Sequence, residues 1–247
     1  MKGYRTMDNL PLLRVEKVTK SFGGLRALNH CSLEVGEREI VGLIGPNGAG
    51  KTTLVNVISG VLKCDQGHIF FRKEDITGQP PYKIAQKGVV RTFQIPKVYP
   101  RMTLWENLIV ASRVENISER ALELLEFSGL VNFKEELAGV LSYGQLKFLY
   151  IIRALLVNPS LLMLDEPTAG LNSKEKDKMM DFVHHLNDKY QMTFLIIEHD
   201  MGVIERHCNL VNVLHYGEKI AEGTFEEIRK EGKVREAYFG EETDHHG

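Results

Sequence analysis

No apolar run in the sequence approaches the roughly 18 residues needed to cross a bilayer. The longest candidates, "SLLMLD" and "TFLIIE", have the length of buried strands. Any association with a membrane is therefore expected to come through a partner protein. The opening stretch "MKGYRTMDNLPLL" holds one Lys and one Arg but no apolar segment, so no secretory signal is expected. Cysteine is scarce: Cys31, Cys64 and Cys208 are odd in number and show no paired CxxC spacing, which points to unpaired thiols in a reducing cytoplasm. Charge of either sign is nearly balanced, with a net of −2 and a pI near 6.5, so bulk electrostatics do not point to a nucleic-acid partner. No repeat, low-complexity tract or Pro/Gly/Ser-rich linker divides the chain.

The 247 residues, 43% hydrophobic and 26% charged, have ordinary globular composition and suffice for one large domain or two small ones. "LLRVEKV" (12–18) and "CSLEV" (31–35) alternate like half-buried antiparallel strands. "EIVGLIG" (39–45) is nearly continuous and apolar, as in a strand covered on both faces. A helix is predicted from Lys51 to about Ser59, with Gly60 just beyond its end. Further short strands are predicted at "HIFFR" (68–72) and "GVVRTF" (88–93).

Between about Pro100 and Leu141 the pattern turns helical. Thr103 with Glu106, and Ser142 with Gln145, have capping-box spacing at two helix starts. The second of these helices is expected to stop at Asn158-Pro159. Then strands and helices alternate: "LLMLD", a helix over 173–190, "TFLIIE", a helix near 201–208, "LVNVL", and a capped helix opened by Thr224 and Glu227. That rhythm implies an α/β fold with a mostly parallel sheet, interrupted by a helical insertion. The boundaries read as a β subdomain plus core over 12–99 and 159–223, an inserted helical part over 100–158, and a C-terminal helical tail over 224–247.

"GPNGAGKTT" (45–53) carries the most specific chemistry. It fits G-x-x-x-x-G-K-[ST] between a predicted strand and a predicted helix. Gly45, Pro46, Asn47, Gly48, Ala49 and Gly50 would wrap backbone N–H groups round a β-phosphate. Lys51 would reach the outer phosphates and the Thr52 hydroxyl a Mg²⁺ ion, with Thr53 following. In "LLMLDEP" (161–167) an apolar strand ends in two acids: Asp165 suits Mg²⁺ through water, and Glu166 suits proton abstraction from a water. "TFLIIEHD" (193–200) repeats the arrangement, placing His199 at a sheet edge where open α/β sheets hold ligands. Gln94, ending "VVRTFQ", is an amide able to hold water or Mg²⁺, though a lone Gln at a strand end is usually a surface residue. Phe22 can be read as an adenine-stacking ring or as a packed aromatic. His30, His68, His184, His185, His207, His215, His245 and His246 lack metal-ligand spacing and read as solvated or packed.

"LSYGQLKF" (141–148) opens a helix on Ser-x-Gly, and a helix N-terminus of that kind can also hold phosphate. No Lys stands at its mouth, since Lys147 lies a turn inside.

Taken in order, the aromatic after the first strand, GPNGAGKTT, the strand-end Gln, LSYGQ, LLMLDEP and the strand ending in Glu-His resemble the ATP-binding cassette of ABC transporters. The resemblance runs from about Leu12 to Gly240. It implies a P-loop NTPase (RecA-like) core, an N-terminal antiparallel β subdomain, an inserted helical subdomain, and ATP and Mg²⁺ as cofactors. It implies a second cassette, identical or paralogous, paired head-to-tail, so that Ser142, Gly144 and Gln145 meet the ATP held by the partner's loop. Glu166 would be the general base, His199 a γ-phosphate contact, and Gln94 a contact of Mg²⁺ or the attacking water. Two positions depart from the commoner pattern: Tyr143 replaces a Gly, and Asn172 in "AGLN" replaces an Asp.

"RTFQIPKVYPRMTLWENL", "DEPTAGLN", "LIIEHDM" and "EAYFGE" look most like the LivG-like ATPases of branched-chain amino-acid importers, a branch that also serves amides and urea. The stretch between Leu108 and Ser118 is short for that group. Its members imply transmembrane permease subunits as partners, docked near Gln94 to Trp105 through Val98, Tyr99, Met102 and Trp105. They also imply a substrate-binding protein reached through the complex, and a place on the cytoplasmic side of the membrane. Lipopolysaccharide-export ATPases are the nearest competitor. Soluble non-transport ABC ATPases differ in carrying two cassettes or a long coiled coil, whereas here only 91 positions separate Lys51 from Ser142. P-loop kinases and GTPases have no use for LSYGQ.

Overall fold

The computed structural model describes residues 10–112 and 118–239. The opening segment, the middle of the 108–118 stretch, the close of the "EAYFGE" motif, and His245 and His246 lie outside the described residues. In chain order the elements begin with β1 (Leu13–Phe22), β2 (Leu25–Val35), β3 (Ile40–Ile44), α1 (Lys51–Ile58), β4 (Gln66–Phe71) and β5 (Glu74–Asp75). They continue with α2 (Pro81–Gln86), β6 (Val89–Arg91), α3 (Leu104–Ala111), α4 (Ser118–Ser128), α5 (Tyr143–Leu155) and β7 (Leu161–Asp165). The last are α6 (Ser173–Tyr190), β8 (Thr193–Ile197), α7 (Met201–His207), β9 (Leu210–His215), β10 (Glu218–Gly223), α8 (Phe225–Ile228) and α9 (Gly232–Phe239).

The chain divides into two compact units, Met1–Pro81 with His199–Gly247, and Tyr82–Glu198. In the first unit, β2, β1, β4 and β5 form an antiparallel sheet, Leu13 lying opposite Val35 on one side and Phe71 on the other. β1 and β2 are longer than their alternating cores suggest. They run on into a hairpin in which Phe22 pairs with Leu25 across Gly23-Gly24, and Gly23 takes φ +57°. The same unit pairs β3 with β9 in parallel and β9 with β10 antiparallel. The β9–β10 turn is two residues, Tyr216 and Gly217, with φ +46° and +80°, the left-handed pair that matches strand twist in tight hairpins. Ile44, Ile204, Val211, Val213, Ile228 and Val234 form an apolar cluster of this unit.

The second unit holds the parallel ladder β8–β7–β6, with Asp165 in register with Ile197. All five residues of β7, and all five of β8, are buried, which is why they read as continuous apolar runs rather than alternating ones. Helix starts are set by side chains: Thr103, Ser142 and Asn172 each close a reciprocal capping box, with Glu106, Gln145 and Glu175. Thr224 and Glu227 do the same for α8 in the first unit.

The α/β fold class agrees with expectation. α2, β5 and β10 were not expected, because each is short or half-buried and leaves no clear apolar period, whereas α9 falls in the tail expected to be helical. None of the three cysteines is in a disulfide. Burial, opposed by Lys219, pushes the Cys31 thiol up to about 12, so this thiol stays protonated.

Asn212 sits in β9, fully buried, and neither its amide nitrogen nor its oxygen has a hydrogen-bond partner. A buried amide without partners is destabilising. Asn212→Leu should therefore raise stability by about 1–2 kcal/mol, read as a Tm increase of about 4 °C. A lowered Tm would mean that the amide has a partner that Leu cannot replace.

Candidate nucleotide-binding site

In the first unit, β3 ends at Ile44 and the chain turns through 45–50 into α1. The turn is dictated by its surroundings. Gly45 (φ +156°) and Gly50 (φ +102°) have no room for a Cβ, which would meet the Leu214 carbonyl at 2.2 Å and the Ala27 carbonyl at 2.6 Å. Gly50 is also the N-cap of α1 and offers no side chain, so the first N–H groups of that helix receive no capping side chain. This is the arrangement in which helix-end donors are presented to an anion. The Lys51 side chain is buried, and its ammonium donates to the carbonyls of Gly45 (2.7 Å) and Pro46 (3.0 Å). That folds the cation back over the loop. Thr52 is exposed and Thr53 half-buried, while Asn47 and Gly48 are exposed at the tip of the turn and Ala49 is buried beneath it. Phe22 ends β1 with 46% of its surface exposed, and the Lys20 ammonium lies 5.6 Å from its ring centre. It is therefore a presented ring and not a packed one. His199 is exposed just before Asp200, the N-cap of α7.

In the second unit the two acids at the end of β7 are held very differently. Asp165 is buried, and its carboxylate pairs with the Arg91 guanidinium at 3.2 Å. Burial lowers the Arg91 pKa and the Asp165 charge opposes that shift. Glu166, one residue on, is half-buried and accepts a hydrogen bond from the Gln94 amide at 2.6 Å. The backbone of Glu166 is left-handed, with φ +50°, a strained state for a non-glycine residue. Both its peptide groups are tied down. Its N–H donates to the Ile197 carbonyl at 2.9 Å. Its own carbonyl accepts from the Lys147 ammonium at 2.7 Å, which also reaches the Pro167 carbonyl at 3.1 Å.

Lys147 is buried, and burial lowers its pKa while Glu198 and Glu166 hold it up. A cleft of about 10 Å³ opens beside these groups, lined in part by Gln94, Lys147, Tyr150, Asp165 and Glu166. That is room for about one water molecule.

Ser142 and Gln145 form the capping box foreseen for α5, with bonds of 2.8 and 3.3 Å. Gly144 is buried, and a Cβ there would stand 3.1 Å from the Glu175 carboxylate. The Tyr143 ring lies against Gly170, where an added Cβ would meet it at 3.0 Å. Asn172 caps α6 by accepting from the Glu175 N–H at 3.1 Å. Both departures from the commoner pattern therefore have structural partners, and they adjoin one another.

The structure thus brings Gln94, Asp165 and Glu166 into one cleft and ties them to α5 through Lys147. In the first unit it groups the 45–53 turn on β3 and α1. Sequence reasoning missed Arg91 and Lys147. A basic residue ending an apolar strand, and another five places after Ser142, were the available signals. In the second unit Gln94 and Asp165 offer amide and carboxylate oxygens, and in the first unit Thr52 offers a hydroxyl, all hard donors of the kind that Mg²⁺ accepts. No group of three or more His, Cys, Asp or Glu side chains able to hold a metal occurs among the described residues.

Residues 28–169 match the family described as "ABC transporter", and residues 218–244 match "Branched-chain amino acid ATP-binding cassette transporter". The chain is 40% identical to the high-affinity branched-chain amino acid transport ATP-binding proteins BraF of Pseudomonas aeruginosa and LivG of Salmonella typhimurium. Each match covers 94% of this chain and 98% of the relative. Among solved structures, it resembles a nucleotide-free ATP-binding cassette from an ABC transporter, with a TM-score of 0.86 and 35% identity over 94% of this chain and 100% of the other. It also resembles a dimeric cassette in a post-hydrolysis state bound to ADP and Pi, with a TM-score of 0.76 and 28% identity over 86% and 98% of the two chains.

Lys147→Met keeps the stem of the side chain and removes the donor shared by two carbonyls. Stability should fall by about 2 kcal/mol, read as a lower urea midpoint. An unchanged midpoint would mean that the ammonium does not hold the Glu166 backbone.

Proposed function

Because the chain belongs to the ABC transporter ATP-binding family, we propose that it binds ATP with Mg²⁺ and hydrolyses it to drive import of branched-chain amino acids. The observation that carries the hydrolytic part is the Glu166 carboxylate, fixed by Gln94 in front of a one-water cleft and beside Asp165. The substrate rests on the C-terminal match over 218–244 and on the printed function of the relatives.

The residues divide the work by chemistry. The 45–50 backbone and the α1 N-terminus hold phosphate through N–H groups, and Lys51 turns from its loop carbonyls to the outer phosphates. Phe22 stacks on the adenine. Thr52, Gln94 and Asp165 hold Mg²⁺, which when bound neutralises charge on the β- and γ-phosphates. Glu166 takes a proton from the attacking water, and Gln94 fixes the carboxylate that does so. His199 contacts the γ-phosphate.

Ser142, Gly144 and Gln145 present the α5 N-terminus to the nucleotide of a second cassette, whose loop supplies the Lys that this helix lacks. Membrane permease subunits dock on the exposed Ile95 and Tyr99, with Val98, Met102 and Trp105 half-buried beside them. No helix among the described residues is long and apolar enough to cross a membrane, so in this reading the cassette works from the cytoplasmic face through those subunits.

Glu166→Gln should keep ATP binding but slow hydrolysis at least about 100-fold. With Mg-ATP it should elute from size exclusion as a dimer, alone or with its paralogous cassette, and adding Ser142→Arg should disperse that dimer. Hydrolysis at the unaltered rate would remove Glu166 as base, and a dimer that survives Ser142→Arg would remove α5 from the interface. Lys51→Ala should weaken ATP binding at least about tenfold; unchanged affinity would overturn the assignment of the 45–53 loop.

A further inference from the structure

The first unit contains a second concavity, of about 380 Å³, that the nucleotide chemistry does not use. Its walls are apolar: Ile44 from the end of β3, Met201 from α7, Phe225 and Ile228 from α8, and Val234 from α9. Three polar residues also line it, Arg229, Arg235 and Tyr238. A volume at the lower end of the range for small-molecule sites, apolar walls and a few convergent polar groups are the features of a ligand pocket.

The polar groups define the ligand. All three can donate hydrogen bonds, two are cations, and no acid lines the pocket among the described residues. Arg229 reaches Glu205 only at 3.9 Å in an exposed contact, which is worth little. The Tyr238 hydroxyl is shielded from solvent and has no hydrogen-bond partner. The Gly45 N–H faces it but falls short of bonding geometry, and burial pushes the phenol up to about 12, so it keeps its proton and can donate. Among the described lining residues an ammonium would meet two arginines and no acid, which disfavours an amino acid.

We propose that this pocket binds an aliphatic monocarboxylate, a short fatty acid or a branched 2-oxo acid, and that its occupancy changes nucleotide affinity. The hydrocarbon body lies on the five apolar side chains, and the carboxylate accepts from Arg229, Arg235 and the Tyr238 hydroxyl. The coupling follows from position. Ile44 is the last residue before the 45–50 turn, and Tyr238 faces the Gly45 N–H, so an occupant bears on the strand that carries the phosphate loop. Only this coupling rests on the nucleotide reading; the binding does not.

Calorimetry on the full chain tests both parts, with hexanoate and 4-methyl-2-oxopentanoate as probes and 1-hexanol and hexylamine as controls of similar body. At least one carboxylate should bind at millimolar concentration or below, and at least about tenfold more tightly than either control. The tighter carboxylate tells fatty acid from oxo acid. The double variant Arg229→Gln/Arg235→Gln should lose about tenfold in carboxylate affinity, and Tyr238→Phe about threefold. Saturating carboxylate should change the ATP Kd by about fivefold.

Absent binding, equal binding of the alcohol, indifference to the arginine substitutions, or an unchanged ATP Kd would each overturn the proposal. ATP binding titrated separately keeps the two readings apart. Loss of ATP binding with carboxylate binding intact counts against the cassette reading alone, and the converse counts against the pocket alone.

Discussion

A single buried ammonium ties together the parts of the second unit that matter most. Lys147 rises from the first turns of α5 and places its charge on the carbonyls of Glu166 and Pro167, just past the end of β7. Without a donor there, the Pro167 carbonyl would lose its side-chain partner and the Glu166 carbonyl would keep only the Ala169 N–H at 3.3 Å, so the left-handed backbone of Glu166 would lose one of its restraints. With it, the position of Glu166, the base in the proposed reading, and the position of a helix N-terminus become one mechanical fact. Arg91 performs a parallel service for Asp165, so adjacent acids are fixed by different cations and need not share one environment.

The α5 N-terminus is built in layers. Ser142 and Gln145 satisfy one another's backbone donors, which forms the helix end before any ligand arrives. Tyr143 then leans on Gly170, and Glu175, the capping partner of Asn172, crowds Gly144. The two positions at which the chain departs from the commoner cassette pattern are thus neighbours in one contact network. Asn caps a helix as well as Asp does, which explains why the loss of charge at 172 leaves the start of α6 intact.

Much of this was legible in the residues. The fully buried strands β3, β7 and β8 announced themselves as unbroken apolar runs, because a strand covered on both faces has no reason to alternate. The capping boxes at Thr103, Ser142 and Thr224 were legible because the interaction is local and its spacing fixed. The placing of 45–53 between a strand and a helix, and of Asp165 and Glu166 at a strand end, was legible because those motifs are contiguous in sequence. What escaped was decided at long range. Lys147 and Arg91 are ordinary basic residues until the fold places β7 beside them. β10 buries only part of a face and carries no period strong enough to read. The aliphatic pocket needed four separate elements before it existed at all.

The glycines of the phosphate loop have a meaning that differs from the usual one. Gly45 and Gly50 are demanded by the carbonyls of Leu214 and Ala27, which crowd them whether or not a nucleotide is near. Only Gly48 has open space around it, and there the backbone angle alone asks for glycine. A descendant that had lost all capacity for ATP would still be selected to keep Gly45 and Gly50, simply to fold. In comparing such chains, those two letters therefore report ancestry and architecture, while in the proposed reading Lys51, Thr52 and Glu166 are the positions at which a living enzyme and a retired one would part.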